Sequence, residues 1–139
     1  MKLEFLASGS RDTPLIRLYG AEVDPLRELS HQVERLALQT LHGVEVHNIP
    51  GVRAISDCQL RLEAASIRPR SLVARHADGT LAFQAFATCE HWLTVHDLLE
   101  SLIAPNNNGF QWLLGGDARG LLGASSIAFM VSTYADGSW

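Results

Sequence analysis

The hydrophobic and polar residues of the chain follow two different periods, and each period predicts a different kind of element. Between Asp24 and Gly43 the apolar residues recur at steps of three and four, with charged residues on the opposite side, which is the pattern of an amphipathic helix. Asp24 is a suitable N-cap, Pro25 is favoured at the first helical position, and Gly43 suits the residue just past the last turn. We therefore predict a helix over residues 25–42.

A second helical pattern follows later in the chain. Thr94 and Asp97 have the spacing of a capping box, with Asp in place of the usual Glu. Val95, Leu98, Leu99, Leu102 and Ile103 form the apolar stripe. Pro105 cannot continue a helix, so we predict a second helix over residues 94–104.

Most of the remaining chain has the alternating or short apolar runs that are typical of strands. These runs cover residues 3–8, 15–19, 44–47, 58–64, 72–77, 80–88 and 126–133. Consecutive strands joined by short turns pair antiparallel, because parallel neighbours need crossovers of about a dozen residues or more. We therefore predict one α+β domain spanning 1–139, in which an antiparallel sheet of about six strands carries the two helices on one face.

The strongest turn signal is Asp78-Gly79, between two strand-like runs. A two-residue loop there would pair His76 with Leu81 and Ala74 with Phe83 on the core face of the sheet. This register predicts that His76 points into the molecule at the rim of the sheet.

Composition limits the classes of partner. The chain has 139 residues, of which 47% are hydrophobic and 19% charged, and its net charge is −4. This balance disfavours nucleic acid and anionic membranes as partners. The longest uncharged stretches have 16 residues, fewer than the roughly 20 that span a bilayer. Two cysteines are too few for a secreted disulfide framework, and Glu4 interrupts any signal-like segment, so we expect a cytoplasmic protein.

Candidate chemistry gathers around the start of the second helix. Cys89, His91, His96 and Asp97 could act in acid–base or metal-assisted catalysis. Their spacing matches no recognised metal site, and the pattern favours a structural interpretation, in which Cys89 ends a buried strand, His91 lies in a loop, and His96 and Asp97 form the polar first turn of a helix. The glycine-rich segment 115–120 lacks the Lys and Ser or Thr of a phosphate-binding loop. We expect no metal and no cofactor.

The end of the chain is almost free of charge. Residues 101–139 hold only three of the 26 charged side chains. The same segment carries Phe110, Trp112, Phe129, Met130, Tyr134 and Trp139. Low charge with large aromatic residues is the composition of an interface core. Two interpretations stay open, namely burial within the monomer and coverage by a second copy in a homodimer.

These observations favour a non-catalytic interaction or small-ligand-binding module, with a site in the groove between the second helix, His76 and the aromatic tail. His76, His91, His96 and Trp112 are the candidate ligand-binding residues. The alternative is a small enzyme that uses Cys89, His91, His96 or Asp97.

Overall fold

A computed structural model describes residues 1–10, 13–65, 72–75, 80–105, 108–114 and 127–139. The strands are β1 (Lys2–Ser10), β2 (Thr13–Tyr19), β3 (Val44–Glu45), β4 (Arg53–Ala54), β5 (Gln59–Ala64), β6 (Leu72–Arg75), β7 (Ala82–Ala87), β8 (Phe110–Leu114) and β9 (Ala128–Ser132). The α-helices are α1 (Asp24–Ala37) and α2 (Cys89–Ile103), and single 3₁₀ turns span Val46–Asn48 and Ile55–Asp57.

The described strands form two mixed sheets. The first sheet has the order β4-β1-β2-β9-β8 and the second has the order β3-β5-β7-β6. The α+β class and the two helices are confirmed, but the single antiparallel sheet is wrong, because β2 pairs with β9 and β5 with β7 in parallel. β6 lies on the far side of β7. The connection from β5 to β7 therefore includes β6, which makes it long enough for the crossover that two parallel neighbours need.

Helix α1 ends five residues before the predicted boundary. Gln39 has a φ of +61°, its N–H donates to the carbonyl of Leu36, and the N–H of Thr40 donates to the carbonyl of Arg35. These two bonds form a Schellman motif, which commonly has glycine at the left-handed position. The prediction that Gly43 terminates the helix is therefore wrong, because Gln39 adopts the left-handed conformation first.

Helix α2 begins five residues before the predicted start at Thr94. The hydroxyl of Thr88 accepts a hydrogen bond from the N–H of His91 at 3.2 Å and caps the helix. Trp92 is fully buried and extends the apolar stripe by one turn toward the N-terminus. Thr94 lies inside the helix, so the predicted capping box is wrong.

Strands β6 and β7 are antiparallel as predicted, but their register differs by one residue. Phe83 lies opposite Arg75, and not opposite Ala74. The inward face of β7 is as predicted, since Phe83 and Ala85 are buried. The argument for His76 depended on the predicted register; His76 itself and the turn at 78–79 lie outside the described residues.

One hydrophobic core joins both sheets and both helices. The rings of Phe5 and Phe83 bring the sheets together, with centroids 4.8 Å apart. A smaller cluster on the outer face of the first sheet contains Leu15, Ala128 and Met130, with Leu6 and Trp112 packed against it. Neither of the two described helices combines the length and the hydrophobicity needed to cross a bilayer.

Candidate functional site

Four polar side chains meet between the two helices, and we call them the interhelical cluster: Ser30, Glu34, His96 and Glu100. His96 Nδ1 lies 2.9 Å from Ser30 Oγ, and His96 Nε2 lies 3.0 Å from Glu34 Oε2. The Ser30 hydroxyl donates to Glu100 Oε1 at 2.5 Å. Each helix contributes two residues spaced four apart, so both pairs lie on a single helix face.

The order of hydroxyl, imidazole and carboxylate in this cluster resembles the groups of a nucleophilic hydrolase. A nucleophile must reach its substrate, whereas Ser30 is only 1% exposed. Its hydroxyl proton is also committed to Glu100 and not to the imidazole. The interhelical cluster therefore suits a structural role, in which hydrogen bonds satisfy polar groups where α1 packs on α2.

The structure does not bring together the four residues of the enzyme hypothesis. Cys89 is half-buried and accepts a long contact from Gln39 Nε2 at 3.4 Å. His91 Nε2 lies 3.0 Å from the carbonyl oxygen of Leu113 in β8. His96 faces α1, and Asp97 is exposed. Within the described ranges, no group of three or more His, Cys, Asp or Glu residues has an arrangement that could hold a metal ion.

The candidate ligand-binding residues are also divided among different surroundings. His91 contacts the backbone of β8 beside Trp112, so these two residues lie on neighbouring elements. His96 belongs to the interhelical cluster. Trp112 packs against the cluster on the outer face of the first sheet, whereas α2 contacts the inner face through Ser101 and Gln111. The structure therefore does not bring His91, His96 and Trp112 into one site, and His76 is outside the described residues.

The six residues of the predicted interface separate into two groups. Phe129 and Met130 are fully buried within the single chain. Trp112 is half-buried, and Phe110, Tyr134 and Trp139 are 38%, 39% and 44% exposed. Burial within the monomer therefore accounts for Phe129 and Met130, and coverage of the other four residues by a second copy stays a prediction. We call the accessible group, Phe110, Trp112, Tyr134 and Trp139, the C-terminal aromatic surface.

Arg17 of β2 holds the last residues of the chain against the outer face of the first sheet. Its Nε and Nη2 donate to Glu4 Oε2 at 2.9 and 2.8 Å, and its Nη1 donates to the carbonyl of Gly137 at 3.1 Å. The guanidinium lies 4.3 Å from the Tyr19 ring centroid and 6.0 Å from that of Trp139, within range of cation–π attraction. Arg17 therefore positions Trp139 on the C-terminal aromatic surface.

Gly137 allows this close approach. Its φ is +72°, and a Cβ atom there would lie 2.7 Å from Arg17 Nη1 and 2.8 Å from the Tyr19 ring. Sequence reasoning did not single out Arg17, Ser30 or Glu34. The available signals were an arginine within an apolar strand and a serine beside the apolar stripe of α1.

Comparisons of the chain with protein-family models, with curated proteins and with solved structures find no match. The argument about function therefore depends on the geometry described above.

Proposed function

We propose that this chain is a small, cytoplasmic, non-catalytic interaction module that forms a homodimer through its C-terminal aromatic surface. The observation that carries the proposal is the exposure of Phe110, Tyr134 and Trp139 on a segment whose described residues contain one charged side chain, Asp136. Exposed aromatic residues with few charges are typical of the desolvated centre of an interface.

The electrostatics of the chain support this location. Each copy has a net charge of −4, so most surfaces of two copies would bring like charges together and oppose association. The four residues of the C-terminal aromatic surface are uncharged, and of the described residues of the segment only Asp136 carries a charge. Contact through this surface therefore brings fewer like charges together than contact through the charge-rich part of the chain.

The non-catalytic part of the proposal draws on the same structure. The residues of the enzyme hypothesis are separated, and the Ser30 hydroxyl, which contacts the imidazole of His96, is buried. These observations favour interaction over acid–base chemistry.

The test is sedimentation velocity at micromolar concentrations with variants. We expect the wild-type protein to sediment at twice the 15.2 kDa of one chain. Replacing Phe110 and Tyr134 together by Ser should weaken the dimer by about tenfold or more, because buried aromatic anchors dominate interface energies. Leu38→Ser is the matched control, since Leu38 is 60% exposed and lies at the end of α1. A wild-type protein that stays a 15.2 kDa monomer at tens of micromolar contradicts the proposal.

A further inference from the structure

The four outer strands of the two sheets are protected to different degrees. β3 and β4 have only two residues each and contain Glu45 and Arg53, and β6 contains Arg75. β8, by contrast, has five residues, Phe-Gln-Trp-Leu-Leu, without a charge or a proline. Short length and charged residues are the means by which proteins prevent edge strands from pairing with other chains. Among the described strands, β8 is thus the outer strand best suited to accept a partner.

The backbone groups of β8 that face away from β9 can be assigned from the ladder. The N–H of Thr133 donates to the carbonyl of Gly109 at 2.9 Å, so Gly109 points its carbonyl toward the β9 side. Because bonded and non-bonded positions alternate along an antiparallel pair, Phe110 and Trp112 direct their N–H and C=O groups outward. The second half of β8 is covered, since the Leu113 carbonyl contacts His91 of α2.

We infer that β8 pairs antiparallel with β8 of a second copy, with the two-fold axis at Gln111. This inference rests on the proposed homodimer and names the element that forms it. In this register Phe110 exchanges two backbone hydrogen bonds with Trp112 of the second copy, and Trp112 exchanges two with Phe110. The two five-stranded sheets then become one sheet of ten strands.

The side chains fit this register. In the β8–β9 ladder, Trp112 lies opposite Met130 and Phe110 lies opposite Ser132. Residues directly opposite one another point to the same face of a sheet, and Met130 belongs to the cluster on the outer face. Both aromatic rings therefore lie on the outer face. Across the axis each Phe110 would then face a Trp112, and aromatic cross-strand pairs are favourable. On the inner face, Gln111 already contacts Ser101 of α2 through its amide nitrogen at 3.5 Å.

A second copy of the chain suits this edge better than an unrelated extended peptide. An isologous contact requires one surface to be complementary to itself. The segment from Phe110 to Trp112 meets this requirement, because each Phe110 ring would face a Trp112 ring across the axis and neither residue is charged. If the outward amides of β8 remain unprotected from exchange when the dimer forms, this edge is instead available to an unrelated extended peptide.

Residue-resolved amide hydrogen exchange over a concentration series tests the inference on the wild-type protein. We expect the amides of Phe110 and Trp112 to exchange at least about tenfold more slowly where the dimer is populated. The amide of Gln111 faces β9 and should be protected at every concentration. Unchanged exchange of Phe110 and Trp112 across the monomer–dimer transition would overturn the inference and leave the proposed homodimer intact, whereas a wild-type monomer would overturn both.

A pair of variants separates the backbone from the ring. Phe110→Ala removes the aromatic side chain and keeps the outward N–H, whereas Phe110→Pro removes both and leaves the β9 ladder complete, as tolerated on edge strands. The dimer dissociation constant should rise about tenfold more for Phe110→Pro than for Phe110→Ala. Far-UV circular dichroism checks that both variants fold. Equal dissociation constants in folded variants would count against β8 pairing.

Discussion

At the scale of single residues, the two cysteines show how burial sets reactivity. Cys58 is fully buried, and burial together with the charge of Glu4 raises the pKa of its thiol to about 11. The thiolate is the reactive form, so Cys58 is almost entirely unreactive at neutral pH. Cys89 is half-buried at the first residue of α2 and is accessible to small reagents.

Thiol labelling at neutral pH measures this difference. We expect a small aromatic disulfide reagent to modify one cysteine per native chain and two in denaturant. Cys89→Ser should abolish labelling of the native protein, whereas Cys58→Ser should leave it unchanged. Rapid modification of Cys58 in the native protein would show that the strand around it is accessible.

Local pattern predicted the buried residues of α1 well and its polar contacts poorly. Leu26, Leu29 and Val33 are fully buried, as the period of the sequence requires. The contact of Ser30 with His96 joins residues 66 positions apart, and no local period contains that information. The same holds for Arg17 and Gly137, which are 120 positions apart.

At the scale of elements, the existence of each helix followed from the sequence, but its ends did not. Thr88 and Thr94 are both plausible N-caps, and the burial of Trp92 against the core decides for Thr88. The hairpin register failed for a related reason. The Asp-Gly signal fixes a register only if its two residues form the whole loop, and the observed pairing of Arg75 with Phe83 differs by one residue from the register that such a loop predicts.

The interhelical cluster joins α1 to α2 beside their apolar contacts, and a double-mutant cycle measures its contribution. We expect Ser30→Ala and His96→Ala each to lower the free energy of unfolding by about 1–3 kcal/mol, because each leaves a partly buried polar group without its partner. The double variant should lose less than the sum, since both changes remove the same contact.

His31→Ala is the control for this cycle. His31 lies on the exposed side of α1, so its removal should change the free energy of unfolding by no more than about 0.5 kcal/mol. Denaturant titration gives all four values. Additive losses for Ser30 and His96 would mean that the two residues act independently.

At the scale of the whole molecule, the order hairpin then helix occurs twice, as β1–β2–α1 and as β6–β7–α2. Each hairpin also pairs with a strand from elsewhere in the chain, because β9 pairs in parallel with β2 of the first hairpin and β5 pairs in parallel with β7 of the second. Leu15 and Ala128 are paired across 113 positions. Sequence patterns indicated seven of the nine described strands and missed β4 and β8. They could not reveal this exchange, since a strand's own residues do not specify a distant parallel partner.

The exchange of strands has a consequence for unfolding. Each hairpin gains its parallel neighbour from the other half, and Trp92 of α2 donates its indole N–H to the carbonyl of Glu63 in β5 at 2.9 Å. One core contains residues of both sheets and both helices. We therefore expect the protein to unfold in a single cooperative transition, with tryptophan fluorescence and far-UV circular dichroism giving the same midpoint.

Two leucines of α2 make the expectation quantitative. Leu99 is fully buried, and Leu99→Ala should lower the free energy of unfolding by about 2–5 kcal/mol through lost burial and a cavity. Leu93 is 43% exposed on the same helix, so Leu93→Ala should have a smaller effect, below about 1 kcal/mol. Because the halves share strands, Leu99→Ala should move the midpoints of both probes together. Separate midpoints in that variant would mean that one sheet survives without α2, which the crossed strands do not allow.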